Sequence, residues 1–210
     1  MNIPDAQQVI HDLSALWPRL SVALEHGTNK VVEFFEREVT DKKIDPYLAP
    51  NLVRFHALQS LRAAGVASQA DVDFNLQHVP NNGICLAVGK YRLRILKAND
   101  GGVPAPGQSV PKNLFYRQQS IKFTTEDGVD VLEDVINLLV VWDVTYPYHL
   151  FEIVLACPKH ANETKASVAL YWEEPLPFVP ATIIEVTPAS QEEDLPISLN
   201  QPATGTGEAE

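Results

Sequence analysis

Two carboxylates and a lysine stand at the ends of the most apolar runs of the sequence. Asp143 follows the run 138–142, Glu152 opens the run 151–157, and Lys159 comes just after it. If the two runs are neighbouring strands, such carboxylates could hold Mg²⁺ while the lysine orients an attacking water. Metal-dependent nucleases use this arrangement, but their lysine normally stands two residues after the glutamate, where this chain has Val154. We therefore expect no catalytic site and keep a nuclease or related phosphodiester enzyme as an alternative.

A second group of residues could bind an anion. Within 90–95 three basic residues, Lys90, Arg92 and Arg94, alternate with three apolar ones, Tyr91, Leu93 and Ile95. Successive side chains of a strand point to opposite faces, so the basic residues should share one face. Lys112 and Arg117 add positive charge nearby. The pattern predicts an anion-binding or partner-binding surface, neutralised either by the acidic parts of the chain itself or by an external anion.

A third candidate is a cluster of rings between the two apolar runs. Tyr146, Pro147, Tyr148 and His149 lie in a connection short enough for a hairpin. Exposed aromatic side chains at such a tip often anchor a protein partner. The sequence therefore predicts a partner-binding tip formed by Tyr146, Tyr148 and His149, with a tip folded back on the domain as the alternative.

Metal and cofactor chemistry finds little support in the sequence. A Cys and His zinc site needs two closely spaced ligand pairs, and the sequence does not contain two of them. Cys85 and Cys157 both lie in apolar segments and are predicted to be buried, reduced thiols. We expect neither a metal nor a cofactor.

Charge is unevenly distributed along the chain. The formal net charge is −11, yet the segment 84–123 holds seven Lys or Arg residues and one acidic residue, Asp100. A net negative protein is repelled by nucleic acid and by anionic membranes, which favours an acidic protein partner and leaves nucleic-acid binding without cleavage as an alternative. The longest apolar run is too short to cross a bilayer, and the N-terminus lacks the pattern of a signal peptide. We therefore expect no membrane association and a cytoplasmic location.

The periodicity divides the chain into three parts. Residues 1–66 are predicted to be helical, with a restart at Pro18, a helix stop at Gly27 and apolar spacings of three and four. In the region 67–187 the period changes to two, which predicts strands. Residues 188–210 contain no Lys or Arg and are predicted to be a disordered acidic tail.

Within the region 67–187 the runs 138–144 and 151–157 are apolar on both faces, which predicts central strands joined as an antiparallel hairpin. Residues 98–111 hold three Gly and three Pro and are predicted to be irregular. We also predict short strands at 114–117 and 121–123, a short helix or turn at 129–134, and an edge strand or groove-binding segment at 181–186. The predicted fold is α+β, with N-terminal helices packed on a mainly antiparallel β-sheet.

Five segments resemble a known group of proteins. They are YRLRILK (91–97), NLFYRQ (113–118), NLLVVWD (137–143), ACPK (156–159) and YWEEP (171–175). Over about residues 85–175 the chain is similar to uncharacterised actinobacterial proteins encoded beside helix-turn-helix regulators or regulator-linked metallopeptidases. The resemblance implies a bacterial cytoplasmic protein from a mobile-element, toxin–antitoxin or stress module, and it carries no catalytic residue. We therefore expect a non-catalytic binding or regulatory protein that acts through a protein partner.

Overall fold

The computed structural model describes residues 3–67, 74–79, 83–118, 122–124, 130–132, 135–161 and 168–177. Its helices are α1 (Ala6–Asp12), α2 (Trp17–Glu38), α3 (Leu48–Ala67) and α4 (Val110–Tyr116). Its strands are β1 (Asn75–Val79), β2 (Gly83–Val88), β3 (Tyr91–Lys97), β4 (Lys122–Thr124), β5 (Asp130–Leu132), β6 (Ile136–Thr145), β7 (His149–Ala161) and β8 (Val168–Pro175). The predicted α+β class, with N-terminal helices followed by a mainly antiparallel sheet, is confirmed. Helix α4 departs from this order, because it lies between β3 and β4.

Six of these strands form one sheet in the order β1-β2-β3-β6-β7-β8, and β4 pairs with β5 in a separate ribbon. Strands β3 and β6 are parallel, and every other pairing described in the large sheet is antiparallel. The predicted hairpin of two central strands is β6 and β7, whose cores are buried on both faces.

Helices α1 to α3 cover one face of the sheet. Their apolar side chains meet those of Leu93, Trp142 and Leu155 in the main core. The N-terminal segment is tied to the far edge of the sheet, because the indole Nε1 of Trp172 donates to the carbonyl of Pro4 at 3.0 Å. Pro18 stands in the first turn of α2, where the missing N–H costs nothing, so the predicted restart is confirmed.

Gly27 does not end a helix, and the prediction of a stop there is wrong. Helix α2 continues through it because Gly27 lies where α2 meets α3. A Cβ atom at Gly27 would lie only 2.7 Å from the carbonyl oxygen of Val53. The glycine therefore serves close helix packing, which the local sequence does not distinguish from a C-terminal cap.

The opposite face of the sheet is covered in part by α4 and the preceding loop. Phe115 and Tyr116 of α4 pack on Leu139, Val141 and Ala156. The prediction of a strand at 114–117 is wrong, since these residues complete a helix whose first turn contains Pro111. The prediction of a helix or turn at 129–134 is also wrong, because strand β5 forms there by pairing with β4, a contact that local periodicity does not reveal.

Both cysteines are buried and unbridged, as predicted. Among the described residues, no helix combines the length and apolar character that a membrane crossing requires. The predictions for 181–186 and for the tail 188–210 lie outside the described residues.

Candidate functional site

The face of β3 that looks away from helices α1 to α3 carries two arginines. Tyr91, Leu93 and Ile95 are buried, and Arg92 and Arg94 are half-buried, so the predicted alternation is confirmed. Cross-strand pairing places Arg94 between Cys85 of β2 and Leu139 of β6. It places Arg92 between Ala87 and Asn137. Paired residues share a face, so both guanidinium groups belong to the side that α4 partly covers.

Helix α4 lies on this face of the sheet, beside Arg94. The guanidinium carbon of Arg94 lies 5.9 Å from the ring centroid of Phe115. Lys112 stands three residues before Phe115 on α4, so the two side chains occupy neighbouring positions on one helix face. We call Arg94, Lys112 and Phe115 the β3–α4 groove. Across the described ranges, no carboxylate lies within salt-bridge distance of Arg94 or Lys112.

The electrostatics of the groove reflect this lack of acidic residues. Burial lowers the pKa of Lys112, and the positive charges of Arg94 and Arg54 lower it further. Burial raises the pKa of the Cys85 thiol, while Arg94 and Arg92 partly oppose that increase. Positive charge is thus concentrated where water is partly excluded, and an anion would be attracted there.

Of the remaining predicted basic residues, Lys90 is separated from the groove. It lies in the turn between β2 and β3, and its Nζ approaches the ring of Tyr91 at 5.2 Å. Tyr91 faces the helices, where its hydroxyl donates to Asp12 at 2.6 Å. The prediction that Lys90 shares a face with Arg92 is therefore wrong, because strand alternation does not extend into the turn.

Arg92 and Arg117 lie near the groove but in different settings. The Nη1 of Arg92 donates to the carbonyls of Gly89 at 2.8 Å and Tyr91 at 3.2 Å, which holds the side chain along its own strand. Arg117 is the exposed C-cap of α4, and its backbone N–H donates to the carbonyl of Asn113 at 3.1 Å. Arg94 and Lys112 therefore form the centre of the groove.

Hydrogen bonds of two amide side chains fix the C-terminal end of α4 to the sheet. The Nδ2 of Asn137, a fully buried residue, donates to the carbonyl of Phe115 at 3.1 Å. The next residue after Arg117, Gln118, inserts its side-chain amide between β6 and β7, where it contacts the backbone of Asn137 and the carbonyl of Pro158. These contacts fix the position of Phe115 relative to the sheet.

The three candidate catalytic residues are not all brought together. Asp143 and Glu152 are direct cross-strand partners, and Asp143 accepts from Lys97 Nζ at 3.3 Å and from the backbone of Val144 at 2.9 Å. Lys159 lies seven residues beyond Glu152 on β7, roughly 20 Å away along an extended strand. The predicted trio is thus divided between opposite ends of the sheet.

An acidic depression adjoins the pair Asp143 and Glu152. It is lined by Glu152, Glu173 and Glu174 together with Gly101 and Gly102. No group of three or more His, Cys, Asp or Glu side chains suited to a metal ion occurs in the described part of the chain. One end of this sheet is therefore acidic, and the end that carries Arg92, Arg94 and Lys159 is basic.

Lys159 takes part in a different arrangement. The β7–β8 ladder passes from the pair Cys157–Trp172 to Pro158–Leu170, and then to His160–Ala169. The ladder contains two bulges, so Tyr171 and Lys159 have no cross-strand partner in this register. The Nζ of Lys159 lies 5.6 Å from the ring centroid of Tyr171, which is a cation–π contact at an exposed site.

The hairpin tip is only partly exposed. Tyr146 is 94% exposed and His149 is also exposed, whereas Tyr148 is 8% exposed and packs on the main core. The prediction that Tyr148 is available to a partner is wrong, because its ring points into the protein and packs on the main core. Phe151 has no cross-strand partner, because the register shifts between Asp143 and Val144. Its side chain lies beside the tip and is 65% exposed. Strand alternation did not predict this exposure.

The chain was compared with family models, with curated proteins and with solved structures, and none of them matches it.

Proposed function

We propose that this protein is a non-catalytic binding protein that recognises an acidic segment of a protein partner in the β3–α4 groove. One observation carries the proposal. Arg94 and Lys112 are two half-buried cations on adjoining elements, and no carboxylate of the described residues neutralises either of them. In line with the resemblance over about residues 85–175, we place this activity in the cytoplasm, in a bacterial mobile-element, toxin–antitoxin or stress module.

The two cations of the β3–α4 groove lower the stability of the folded protein. Two like charges that are partly removed from water repel each other and lose hydration. The lowered pKa of Lys112 has these two causes. An incoming carboxylate would offset both, so binding energy is available at this place that the isolated chain does not use. Sites kept at a cost in stability are typical of function.

The choice of a protein partner over nucleic acid follows from the charges around the groove. The whole chain carries −11, and the same sheet bears Asp143 and Glu152 at its other end. A phosphate backbone that extended along the sheet would meet this acidic end and be repelled. A short acidic peptide segment can use the basic end alone.

The proposal is tested with defined anionic probes. A labelled peptide of alternating aspartate and serine is titrated with the protein by fluorescence anisotropy, beside single-stranded DNA and RNA of matched charge. We expect the peptide to bind, and binding to be lost in the double variant Arg94→Glu/Lys112→Glu while circular dichroism stays unchanged. Lys159→Glu, a reversal outside the groove at the same end, is the matched control. Tighter binding of either oligonucleotide at physiological salt would contradict the proposal.

A magnesium-dependent nuclease is the second candidate, favoured by the direct pairing of Asp143 with Glu152 beside an acidic depression. Lys97 already neutralises Asp143, and Lys159, the lysine that the sequence predicted to orient water, is distant from this pair. Incubation with DNA and RNA in the presence of Mg²⁺ tests this candidate. Cleavage that disappears in Asp143→Asn would establish it.

A further inference from the structure

The β3–α4 groove contains a more specific arrangement than a positive patch. Arg94 is the cross-strand partner of Cys85 on β2 and of Leu139 on β6, and its guanidinium carbon lies 5.9 Å from the centroid of the Phe115 ring. Phe115 is itself fixed, because it is 6% exposed and its carbonyl accepts from the buried Asn137. The guanidinium is thus preorganised by packing rather than by an acidic residue of the described chain.

A packed guanidinium of this kind has a particular ligand preference. Its N–H groups form a planar fork that matches both oxygens of a carboxylate, and an aromatic ring on one face leaves the edge of the fork available. Lys112 adds a second positive charge from α4, close enough that Arg94 affects its pKa. The two cations are contributed by different elements, Arg94 by β3 and Lys112 by α4.

We infer that Arg94, Phe115 and Lys112 form a clamp for a single carboxylate side chain, that of an aspartate or glutamate in the acidic partner segment. This inference rests on the proposed function and deepens it. Arg94 binds the carboxylate through its fork, Phe115 is a positioning residue that orients the fork, and Lys112 supplies charge. Arg92, whose Nη1 donates to backbone carbonyls, contributes to the general positive field and not to the clamp.

The clamp and the general positive face predict different effects for charge-conserving changes. If binding depends only on positive charge, Arg94→Lys should be tolerated. If it depends on the clamp, the change removes the planar fork that binds the carboxylate. We expect Arg94→Lys to weaken binding of the aspartate–serine peptide about tenfold or more, nearly as much as Arg94→Gln, since the paired hydrogen bonds of the fork are lost in both variants. Phe115→Leu, which keeps the apolar packing, should weaken binding by a smaller factor. Lys159→Gln should leave binding unchanged.

The outcomes separate the two claims. If Arg94→Lys binds like the unmodified chain while Arg94→Gln does not, the clamp is wrong and the proposed function stands. If the unmodified chain binds no acidic peptide even at low salt, both are overturned. Thermal unfolding of each variant shows whether it is folded, and the ¹⁵Nε signal of Arg94 provides a readout in the unmodified protein. That signal should shift on titration with the peptide, and its invariance during saturable binding would refute the clamp.

The acidic segment 188–210 of the chain itself is the competing occupant. The same titration is repeated with a chain that ends at residue 187. Unchanged affinity supports an external partner. A gain of about tenfold on truncation would show that the chain occupies its own clamp, and it would overturn the assignment to an external partner.

Discussion

The side-chain amide of Gln118 hydrogen-bonds to the backbone of Asn137 as a neighbouring strand would. Its Oε1 accepts from the Asn137 N–H at 2.8 Å, and its Nε2 donates to the Asn137 carbonyl at 2.6 Å. Continuing the β6–β7 register from Leu139–Ala156 would place Asn137 opposite Pro158, which has no N–H to donate. Gln118 Nε2 also donates to the Pro158 carbonyl at 2.9 Å, so one side chain joins both strands where their own ladder ends.

Replacing Gln118 should therefore lower the free energy of unfolding by more than its position at the end of a short helix suggests. We expect Gln118→Ala to lower the free energy of unfolding by about 2–4 kcal/mol, because backbone groups of Asn137 and Pro158 lose their partners. Gln118→Glu should be at least as harmful, since the oxygen that replaces Nε2 would face the carbonyls of Asn137 and Pro158. Urea denaturation measures both changes. Gln8→Ala, which removes an exposed hydrogen bond to Asp12, is the control and should change stability little.

Tyr91→Phe should change the titration of Asp12. The Tyr91 hydroxyl is the main cause of the lowered pKa of Asp12, ahead of Gln8, so its removal should raise that pKa toward 3.8. A carboxyl whose pKa is lowered in the folded state stabilises the protein above its unfolded pKa and loses this contribution as the pH falls. The stability difference between Tyr91→Phe and the unmodified chain should thus shrink below about pH 4. NMR titration of the Asp12 carboxyl provides the measurement, and an unchanged pKa would contradict the assignment.

Gly27→Ala tests the contact between α2 and α3. On helix propensity alone the change should stabilise α2 by about 1 kcal/mol. Because the new Cβ would meet the Val53 carbonyl oxygen at 2.7 Å, we expect a net loss of about 1–3 kcal/mol instead. The exposed position Asn29 on the same helix serves as the control, where Asn29→Ala should be neutral or slightly stabilising. Thermal unfolding of the two variants decides the sign.

Arg94→Gln should raise the pKa of Lys112, because it removes the larger of the two charge effects that lower it. A lysine whose pKa is lowered by folding destabilises the protein at neutral pH, and this cost disappears as the pH rises through its folded pKa toward 10.5. We therefore expect Arg94→Gln to leave stability at pH 7 unchanged or slightly higher. Denaturation at pH 7 and NMR titration of the lysine test both statements. A marked loss of stability would show that Arg94 serves the fold instead of a ligand.

The sequence predicted those features that depend on local periodicity. The alternation around Arg92 and Arg94 defines one strand with two unlike faces, and the apolar runs on either side of Tyr146 define the central hairpin. Each prediction needs only the period of a strand and the polarity of its side chains.

The missed features depend on contacts between distant segments. Phe115 occupies the groove because Asn137 and Gln118 hold α4 on the sheet. Lys159 was grouped with Glu152 because sequence distance does not show which end of a strand a residue occupies. Tyr148 was expected at the surface since neither the turn geometry nor its contacts with the core can be read from four residues.

The parallel pairing of β3 with β6 has a consequence for the order of folding. These two strands are separated in the sequence by residues 98–135, so joining them closes a long loop, whereas β6 and β7 are linked by three residues. Loop closure costs more entropy as the loop lengthens, and proteins rich in distant contacts fold more slowly. We expect the β6–β7 hairpin to protect its amide hydrogens early in refolding. The β3–α4 groove combines a residue of β3 with residues of α4, and α4 lies within that loop. We therefore expect the groove to bind its ligand only after the last kinetic phase of refolding.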